Sequence, residues 1–198
     1  MAQMRIETGT PMGSEMPAQL RAWRMRKLRL AAGRIPQPVW SLFVAGAQGA
    51  LLGVLGKAAG QPWLLPTIGP TIYMQAIQPA HPSNRIYNTI AGNVIAVAVS
   101  LLVLTLTQGY ASPDMIETDV ITWTRLAAGI GSLALTMLVS SVLRADNPAA
   151  GAAALLIALG PMQQMHHAIN IIIAAAIVAV SGVAFRKVRP SRTMNDER

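Results

Sequence analysis

Apolar residues occur along this chain in long uninterrupted runs, not in the alternating or amphipathic patterns of soluble proteins. A helix needs roughly 20 apolar residues to cross a bilayer. Four runs are close to that length, and they cover residues 39–56, 86–106, 121–143 and 168–185. The pattern therefore predicts transmembrane helices and an integral membrane protein whose first partner is the lipid bilayer.

A shorter apolar segment, broken by proline and glycine, lies between the long runs of each half. The first covers residues 60–82, with a helical part over 66–77, and the second covers 144–165, with a helical part over 148–159. Both helical parts are shorter than the roughly 20 residues of a full crossing. Each is predicted to be a half-helix, which gives about six membrane-inserted segments.

The order long, short, long occurs twice, which indicates repeats over about 39–107 and 121–185. A shift of 82 residues places Gly69 on Gly151 and Pro79 on Pro161. With three crossings in each half, the halves must be inverted relative to each other. The predicted fold is therefore an all-α membrane protein with two inverted three-segment repeats, each of long helix, short broken half-helix and long helix, a pattern found in many transporters.

The charges indicate the topology. Hydrophobic residues make up 53% of the chain and charged residues only 12%, and most of the 16 basic residues lie before residue 39 or after residue 185. These basic residues flank lipid-soluble sequence, so binding to nucleic acid is not expected. The positive-inside rule predicts that segments 1–38 and 186–198 are both cytoplasmic, at a membrane that we expect to be a bacterial inner membrane.

The number of crossings depends on the short segments. The loop 108–120 carries three acids and no base. If each short segment crosses, there are six crossings and this loop lies outside; if both are re-entrant, there are four and it lies inside. The positive-inside bias favours six.

Several classes of chemistry are absent from the sequence. The chain has no cysteine, which excludes disulfides, thiolate metal sites and a cysteine nucleophile. No phosphate-binding loop or dinucleotide fingerprint is present. The long spans contain no acid, and the adjacent His166 and His167 would point to different faces of a helix. We therefore expect neither enzymatic activity nor a cofactor or metal.

The starts of the two half-helices are the candidate binding residues. A helix N-terminus that is buried in a membrane carries unpaired N–H groups and positive dipole, for which an anion or a polar solute is a partner. An ordinary capped helix entry is the alternative. The candidates on the first half-helix are Thr67, Gly69 and Thr71, and those on the second are Asn147, Pro148 and Gly151.

Two asparagines lie deeper in the third segment. Asn88 and Asn93 occur in an apolar run, where a polar amide needs a partner. They either bond between helices or line a polar path.

Glycines form a stripe along the first span. Gly46, Gly49, Gly53 and Gly56 recur at spacings of three and four, which allows a second helix to approach closely. Such Gly/Ala faces also allow a homo-oligomer.

These residues resemble the HPP family of small membrane proteins over roughly residues 39–185. The family's His-Pro-Pro-Ala-Gly-Ala-Thr-Ala-like motif is similar to Asn-Pro-Ala-Ala-Gly-Ala-Ala-Ala at 147–154. A Phe-Gly-Ala-Ser-like run is similar to Ile-Gly-Pro-Thr at 68–71, and an Asn-Val-Ile-Gly-Gly-His-like run to Asn-Thr-Ile-Ala-Gly-Asn at 88–93. The family's histidine is asparagine at both Asn147 and Asn93, and its second proline is Ala149, so the chain is a divergent member.

The resemblance implies a transporter or channel for a small inorganic anion, because some members are associated with nitrite transport. Residues 147–149 also resemble the Asn-Pro-Ala box of aquaporins, but the matching residues 65–67 are Leu-Pro-Thr and only four long spans are present. We expect the two half-helix N-termini to face one central site, which Asn88 and Asn93 complete. The alternative is a membrane scaffold or accessory subunit without transport, which predicts a dry and fully packed centre.

Overall fold

The structure, a computed structural model, describes residues 35–189. Most of the two segments predicted to be cytoplasmic, 1–38 and 186–198, lies outside the described residues. Within the described range the chain is all-helical, and its α-helices are α1 (Gln37–Ala59), α2 (Gly69–Ile77), α3 (Ile86–Leu106), α4 (Met115–Thr118), α5 (Trp123–Val142), α6 (Pro148–Ala158) and α7 (Met165–Val188).

Four of these helices are long and apolar enough to cross a membrane, namely α1, α3, α5 and α7. They correspond to the four predicted spans, and α3 has the predicted bounds. Helix α1 extends to Gly60, which ends it in the left-handed conformation with φ 64°. Helix α7 begins before the predicted residue 168, so His166 and His167, expected in a loop or at the interface, lie in its first turn.

Both predicted half-helices are present. Helix α2 follows a 3-10 turn, Pro66–Ile68, and α6 begins directly at Pro148. Proline fits both starts because its fixed φ suits the first helical turn, where no N–H partner is available.

The loop 108–120 contains a helical turn that the sequence pattern did not predict. Asp114 caps α4, because its carboxylate accepts hydrogen bonds from the N–H groups of Ile116 at 2.7 Å and Glu117 at 3.4 Å. Four residues are too few to produce a recognisable helical period.

Hydrogen bonds between distant residues define one end of the bundle. Arg189 donates to the carbonyl of Ile35 at 3.0 Å, and Arg186 donates to the carbonyl of Asn84 at 2.7 Å. Tyr87 donates to the carbonyl of Leu143 at 3.1 Å. The starts of α1 and α3 and the ends of α5 and α7 therefore meet at this end, which we call the terminal end.

The opposite end, which we call the loop end, holds residues 107–122. Arg125 donates to the carbonyl of Ala158 at 3.0 Å, and the N–H of Met115 donates to the carbonyl of Leu159 at 3.2 Å. Asn170 donates to Gln61 at 2.9 Å.

Each short segment connects opposite ends of the bundle. Helix α2 follows Gln61 at the loop end, and its last turn reaches the terminal end, where the Ser41 hydroxyl donates to the carbonyl of Ala76 at 2.8 Å. Helix α6 runs the other way, from Asn147 near the start of α3 to Ala158 at the loop end. Counting the two short segments, the chain therefore passes six times between the two ends of the bundle, and four of these passes are helices long enough to cross a membrane.

Helices α3 and α6 form the centre of the bundle. Helix α3 packs against α5, α6 and α7, while α2 packs against α1, α6 and α7. Alanine accounts for most buried positions of α6, which lets neighbouring helices approach its backbone closely.

Among the described residues, most of the predicted glycine stripe on α1 has no packing partner. A methyl group at Gly46, Gly49 or Gly53 would meet nothing within 4 Å, whereas Gly56 packs against the backbone of Gln61 and Trp63. Of these four glycines, only Gly56 therefore serves close packing among the described residues, and it contacts a loop instead of a helix.

Candidate functional site

A cavity of about 380 Å³ lies at the terminal end, between α5 and the first turn of α6. Its volume lies within the range of roughly 300–1,000 Å³ that is usual for ligand pockets. The lining combines hydroxyl groups with apolar side chains and consists of Ser83, Leu133, Thr136, Met137, Ser140, Ser141, Asp146, Asn147, Pro148, Ala150 and Gly151.

The start of α6 is shaped by its N-cap residue. Asn147 has extended backbone, and its Oδ1 accepts a hydrogen bond from the N–H of Ala149 at 3.0 Å. Its Nδ2 lies 3.4 Å from the carbonyl oxygen of Thr89 on α3. Asn147 therefore caps α6 and tethers it to α3, and the capping bond satisfies one of the N–H groups that would otherwise face the cavity.

Close packing against α3 positions this turn. A methyl group at Gly92 would come within 2.9 Å of the Asn147 Cβ and 3.0 Å of the Ala145 carbonyl oxygen. Glycine at this position is what allows the start of α6 to lie directly on α3.

Helix α5 supplies the hydroxyl groups of the cavity wall. Ser132, Thr136 and Ser140 are spaced by four residues and therefore share one helix face. Their exposures are 0%, 1% and 5%, and none of the three hydroxyl oxygens has a hydrogen-bond partner. Thr136 and Ser140 line the cavity. Buried hydroxyls normally find a partner. These two are unpaired but closed off from solvent, so a small change in the packing of α5 on α6 is needed before they can bind a solute.

The electrostatic character of the cavity comes from one acid and one helix end. Asp146 is the only charged residue in the lining, and it is exposed. No lysine, arginine or histidine belongs to the lining. The positive end of the α6 dipole is the local feature that favours negative charge.

The eight predicted site residues do not all line this cavity. Asn147, Pro148 and Gly151 do. Asn88 donates to the carbonyl of Pro82 at 3.1 Å, and Asn93 donates to the carbonyl of Thr89 in its own helix at 2.8 Å.

The residues of the first half-helix are also outside this lining. Gly69 begins α2, and a methyl group there would meet nothing within 4 Å. The Thr67 and Thr71 side chains are buried, and their hydroxyl oxygens have no hydrogen-bond partner. The cavity therefore does not form the predicted single site shared by both half-helix starts. Of the two half-helices, only α6 contributes to its lining.

The hydroxyl face of α5 was not among the predicted site residues. Its signal in the sequence is the recurrence of Ser132, Thr136 and Ser140 at every fourth position of an apolar span. Ser83, in the turn before α3, had no such signal.

The part of the chain that the structure describes holds no group of three or more His, Asp or Glu residues able to bind a metal.

Comparisons with known proteins identify the family. The family model for the HPP transmembrane region matches residues 31–195. No curated protein and no solved structure matches the chain. Because the matched region covers all six segments, the chain belongs to the HPP family and is an integral membrane protein.

Proposed function

We propose that this protein is a membrane transporter or channel for a small inorganic anion, with nitrite as the first substrate to test. The observation that carries the proposal is the cavity at the start of α6, where the buried hydroxyls of Thr136 and Ser140 have no partner in the protein. Membership of the HPP family supports a membrane function, and a cavity at the start of α6 supports transport over a purely structural role.

The physical basis of anion binding is a set of neutral donors. Hydroxyl groups donate hydrogen bonds to an anion, and the α6 N-terminus adds positive potential. The lining has no fixed cation, so the bound anion would be held weakly. Weak binding suits transport, because the solute must leave the site as readily as it enters.

The distribution of charge supports an orientation with the terminal end in the cytoplasm. Arg85 and Arg144 lie at this end, as do the basic residues that end α7. The loop end carries the acids Asp114, Glu117 and Asp119. By the positive-inside rule the cavity then faces the cytoplasm of the cell, which we propose is bacterial, with both termini on the same side.

We also propose that the two halves are inverted repeats. A shift of 82 residues maps every buried residue of the segment 66–77 onto a buried residue of α6. Under the same shift, seven buried residues of α3, starting at Asn88, correspond to seven buried residues of α7, starting at Asn170. A shift of 84 maps all but one of the buried residues of α1 onto buried residues of α5.

Hydrogen bonds agree with this relation. The Ser41 hydroxyl donates to the carbonyl of Ala76 at 2.8 Å, and Arg125 donates to the carbonyl of Ala158 at 3.0 Å. These pairs correspond under the two shifts. In each half, the first turn of the first long helix therefore binds the carboxyl end of the half-helix, at opposite ends of the bundle.

Uptake of nitrite into proteoliposomes tests the transport proposal directly. We expect uptake above that of protein-free vesicles, and a loss of about fivefold or more in a Thr136→Val/Ser140→Ala variant, which removes both hydroxyl donors. Asn147→Leu removes the cap and should also reduce uptake.

Thr105→Val is a matched control, because that exposed hydroxyl on α3 bonds only to the Leu101 carbonyl in its own helix. Equal uptake with and without the wild-type protein would rule out nitrite transport, and equal uptake by the hydroxyl variant would remove the cavity from the path.

The alternative function is a membrane scaffold or accessory subunit, in which Gly/Ala faces serve only packing between subunits. It predicts a packed, dry centre, and the hydroxyl-lined cavity disfavours it. The absence of enzymatic activity and of a cofactor stays a prediction.

A further inference from the structure

A second group of buried polar side chains lies between α1, α2 and α7, away from the cavity. Gln48 of α1 donates through Nε2 to Gln75 Oε1 of α2 at 2.7 Å and to Ser181 Oγ of α7 at 3.2 Å. Thr71 lies one turn before Gln75 on α2. We call Gln48, Thr71 and Gln75 the glutamine cluster; their exposures are 0%, 3% and 5%.

Each member of the glutamine cluster has a polar atom without a partner. These atoms are Gln48 Oε1, Gln75 Nε2 and Thr71 Oγ1. Exchanging the oxygen and nitrogen of both amides would keep the bond between them and again leave one unpaired atom on each. The cluster therefore has hydrogen-bonding capacity that this arrangement of the protein cannot use.

Unpaired polar atoms in this position lower the stability of the protein. A buried donor or acceptor without a partner destabilises a protein, and hydrocarbon surroundings supply no water to replace it. Apolar side chains of the same size would pack between these helices without that cost. A chain that keeps three polar groups here is consistent with a role beyond packing.

Helix α7 makes room for one of these amides. A methyl group at Gly182 would overlap the side-chain amide of Gln75. Glycine at this position therefore lets the Gln75 amide lie against the α7 backbone.

The chemistry of the cluster defines the kind of ligand it suits. Gln75 Nε2 is a donor, Gln48 Oε1 is an acceptor, and the Thr71 hydroxyl is both. The cluster contains no ionised group, and the Gln48 oxygen would repel a bare anion. The matching ligand is a small uncharged species that both donates and accepts hydrogen bonds, such as the protonated form of a weak acid.

We propose that the glutamine cluster is a second binding site for the transported solute, on the α2 side of the bundle, and that it takes the solute in its protonated, uncharged form. This inference rests on the proposed transport function. It adds that an anion crosses this part of the protein together with a proton.

The test removes the polar atoms and keeps the volume. In a Gln48→Met/Gln75→Met variant the two unpaired amide atoms disappear, so we expect the thermal midpoint of the detergent-solubilised protein to rise while nitrite uptake falls about fivefold or more. A purely structural cluster would give the rise in the midpoint without the fall in uptake, and that result would overturn the proposal.

Ser100→Ala is the matched control. Its buried hydroxyl already donates to the Ala154 carbonyl at 3.2 Å, so the change should lower the midpoint and leave uptake near that of the wild type. If the double variant does not fold, Gly182→Ala displaces the Gln75 amide instead. Uptake that stays at the wild-type level in that variant would equally overturn the proposal.

The form of the solute is tested with nitrite and nitrate, which carry the same charge. Nitrite is the anion of a weak acid, whereas nitrate does not take up a proton near neutral pH. After subtraction of leakage into protein-free vesicles, we expect protein-dependent nitrite uptake to increase as the pH falls and nitrate to be carried poorly.

Equal uptake of both ions at every pH would show that the bare anion passes the cluster, contrary to this inference. Absence of nitrite uptake by the wild-type protein would instead contradict the proposed function, so the two failures are distinguishable.

Discussion

Single residues decide how closely the start of α6 lies against α3, and Gly92 is the clearest case. Gly92→Ala would force its methyl group against the Asn147 Cβ and the Ala145 carbonyl oxygen. Since the carbonyl oxygen is a backbone atom and the Cβ is bonded directly to the backbone, neither can move aside easily. We expect a loss of about 1–3 kcal/mol in the free energy of unfolding, measured by denaturation in detergent.

Gly46→Ala is the control for this prediction. A methyl group there meets nothing within 4 Å, and alanine is favoured over glycine inside a helix. The control should be neutral or slightly stabilising. Equal stabilities of the two variants would mean that α6 does not pack on α3 as described.

The carboxylate of Asp146 is the one residue of the cavity that opposes an anion. It is exposed and bonds weakly to the Ser141 hydroxyl at 3.4 Å. In Asp146→Asn the repulsion disappears, so we expect the apparent affinity for nitrite to increase by about two- to fivefold at low ionic strength. The gain should shrink as salt is added, because screening weakens exposed charges.

Glu117→Gln removes an acid at the loop end and is the matched control. Its uptake should equal that of the wild type. An unchanged affinity in Asp146→Asn would show that the carboxylate does not oppose the anion, and a lower affinity would show that it assists binding.

At the scale of elements, Arg125 holds the loop end together. Its side chain is fully buried and donates to the carbonyls of Ser112 and Pro113 in the loop, to that of Ala158 at the end of α6, and to Gln163 at 2.8 Å. Arg125→Met would leave these acceptors without a donor. We expect a loss on the order of 3 kcal/mol in stability.

Limited proteolysis of the loop 107–122 measures how the loss of the Arg125 hydrogen bonds affects the loop end. Released from α6, the loop 107–122 should be cut faster in Arg125→Met than in the wild type. Lys57→Met, at an exposed position near the same end, should not change the cleavage rate. Unaltered cleavage in both variants would show that α4 and its neighbours stay docked without Arg125.

The sequence alone predicted the helices more completely than it predicted the residues of the candidate site. Helix α3 was predicted to the residue, because a long apolar run without proline or a charged residue leaves one interpretation. The Asn147–Pro148 start of α6 was predictable from local capping chemistry. The roles of Thr136 and Ser140 were not, since hydroxyls in an apolar helix usually bond to their own backbone, and only the packing of α5 on α6 leaves them unpaired around a cavity.

At the scale of the whole molecule, the two proposed repeats are in different states. The cavity residues Thr136 and Asn147 correspond, under the shifts that relate the halves, to Leu52 and Leu65. Both leucines are buried in the hydrophobic core together with Ile68, and Trp63 packs against them. The counterpart of the cavity at the loop end is therefore filled, whereas the cavity at the terminal end is open.

This asymmetry predicts access from one side only. Since the chain has no cysteine, single cysteines can be introduced without background labelling. Without nitrite, a membrane-impermeant thiol reagent should label Asn147→Cys, at the half-buried start of α6, from the cytoplasmic side in inside-out vesicles, and should fail to label the buried Leu65→Cys from either side. Lys57→Cys, exposed near the loop end, controls for sidedness and should react only from outside.

Alternating access adds a further expectation for the filled half. If the protein moves solute by exchanging the open and closed states of its two halves, nitrite should slow the labelling of Asn147→Cys and allow labelling of Leu65→Cys from the outside. A channel would instead show no coupling between the two positions. Labelling of both cysteines from the same side would contradict the inverted arrangement itself, because residues related by the proposed repeat must face opposite sides of the membrane.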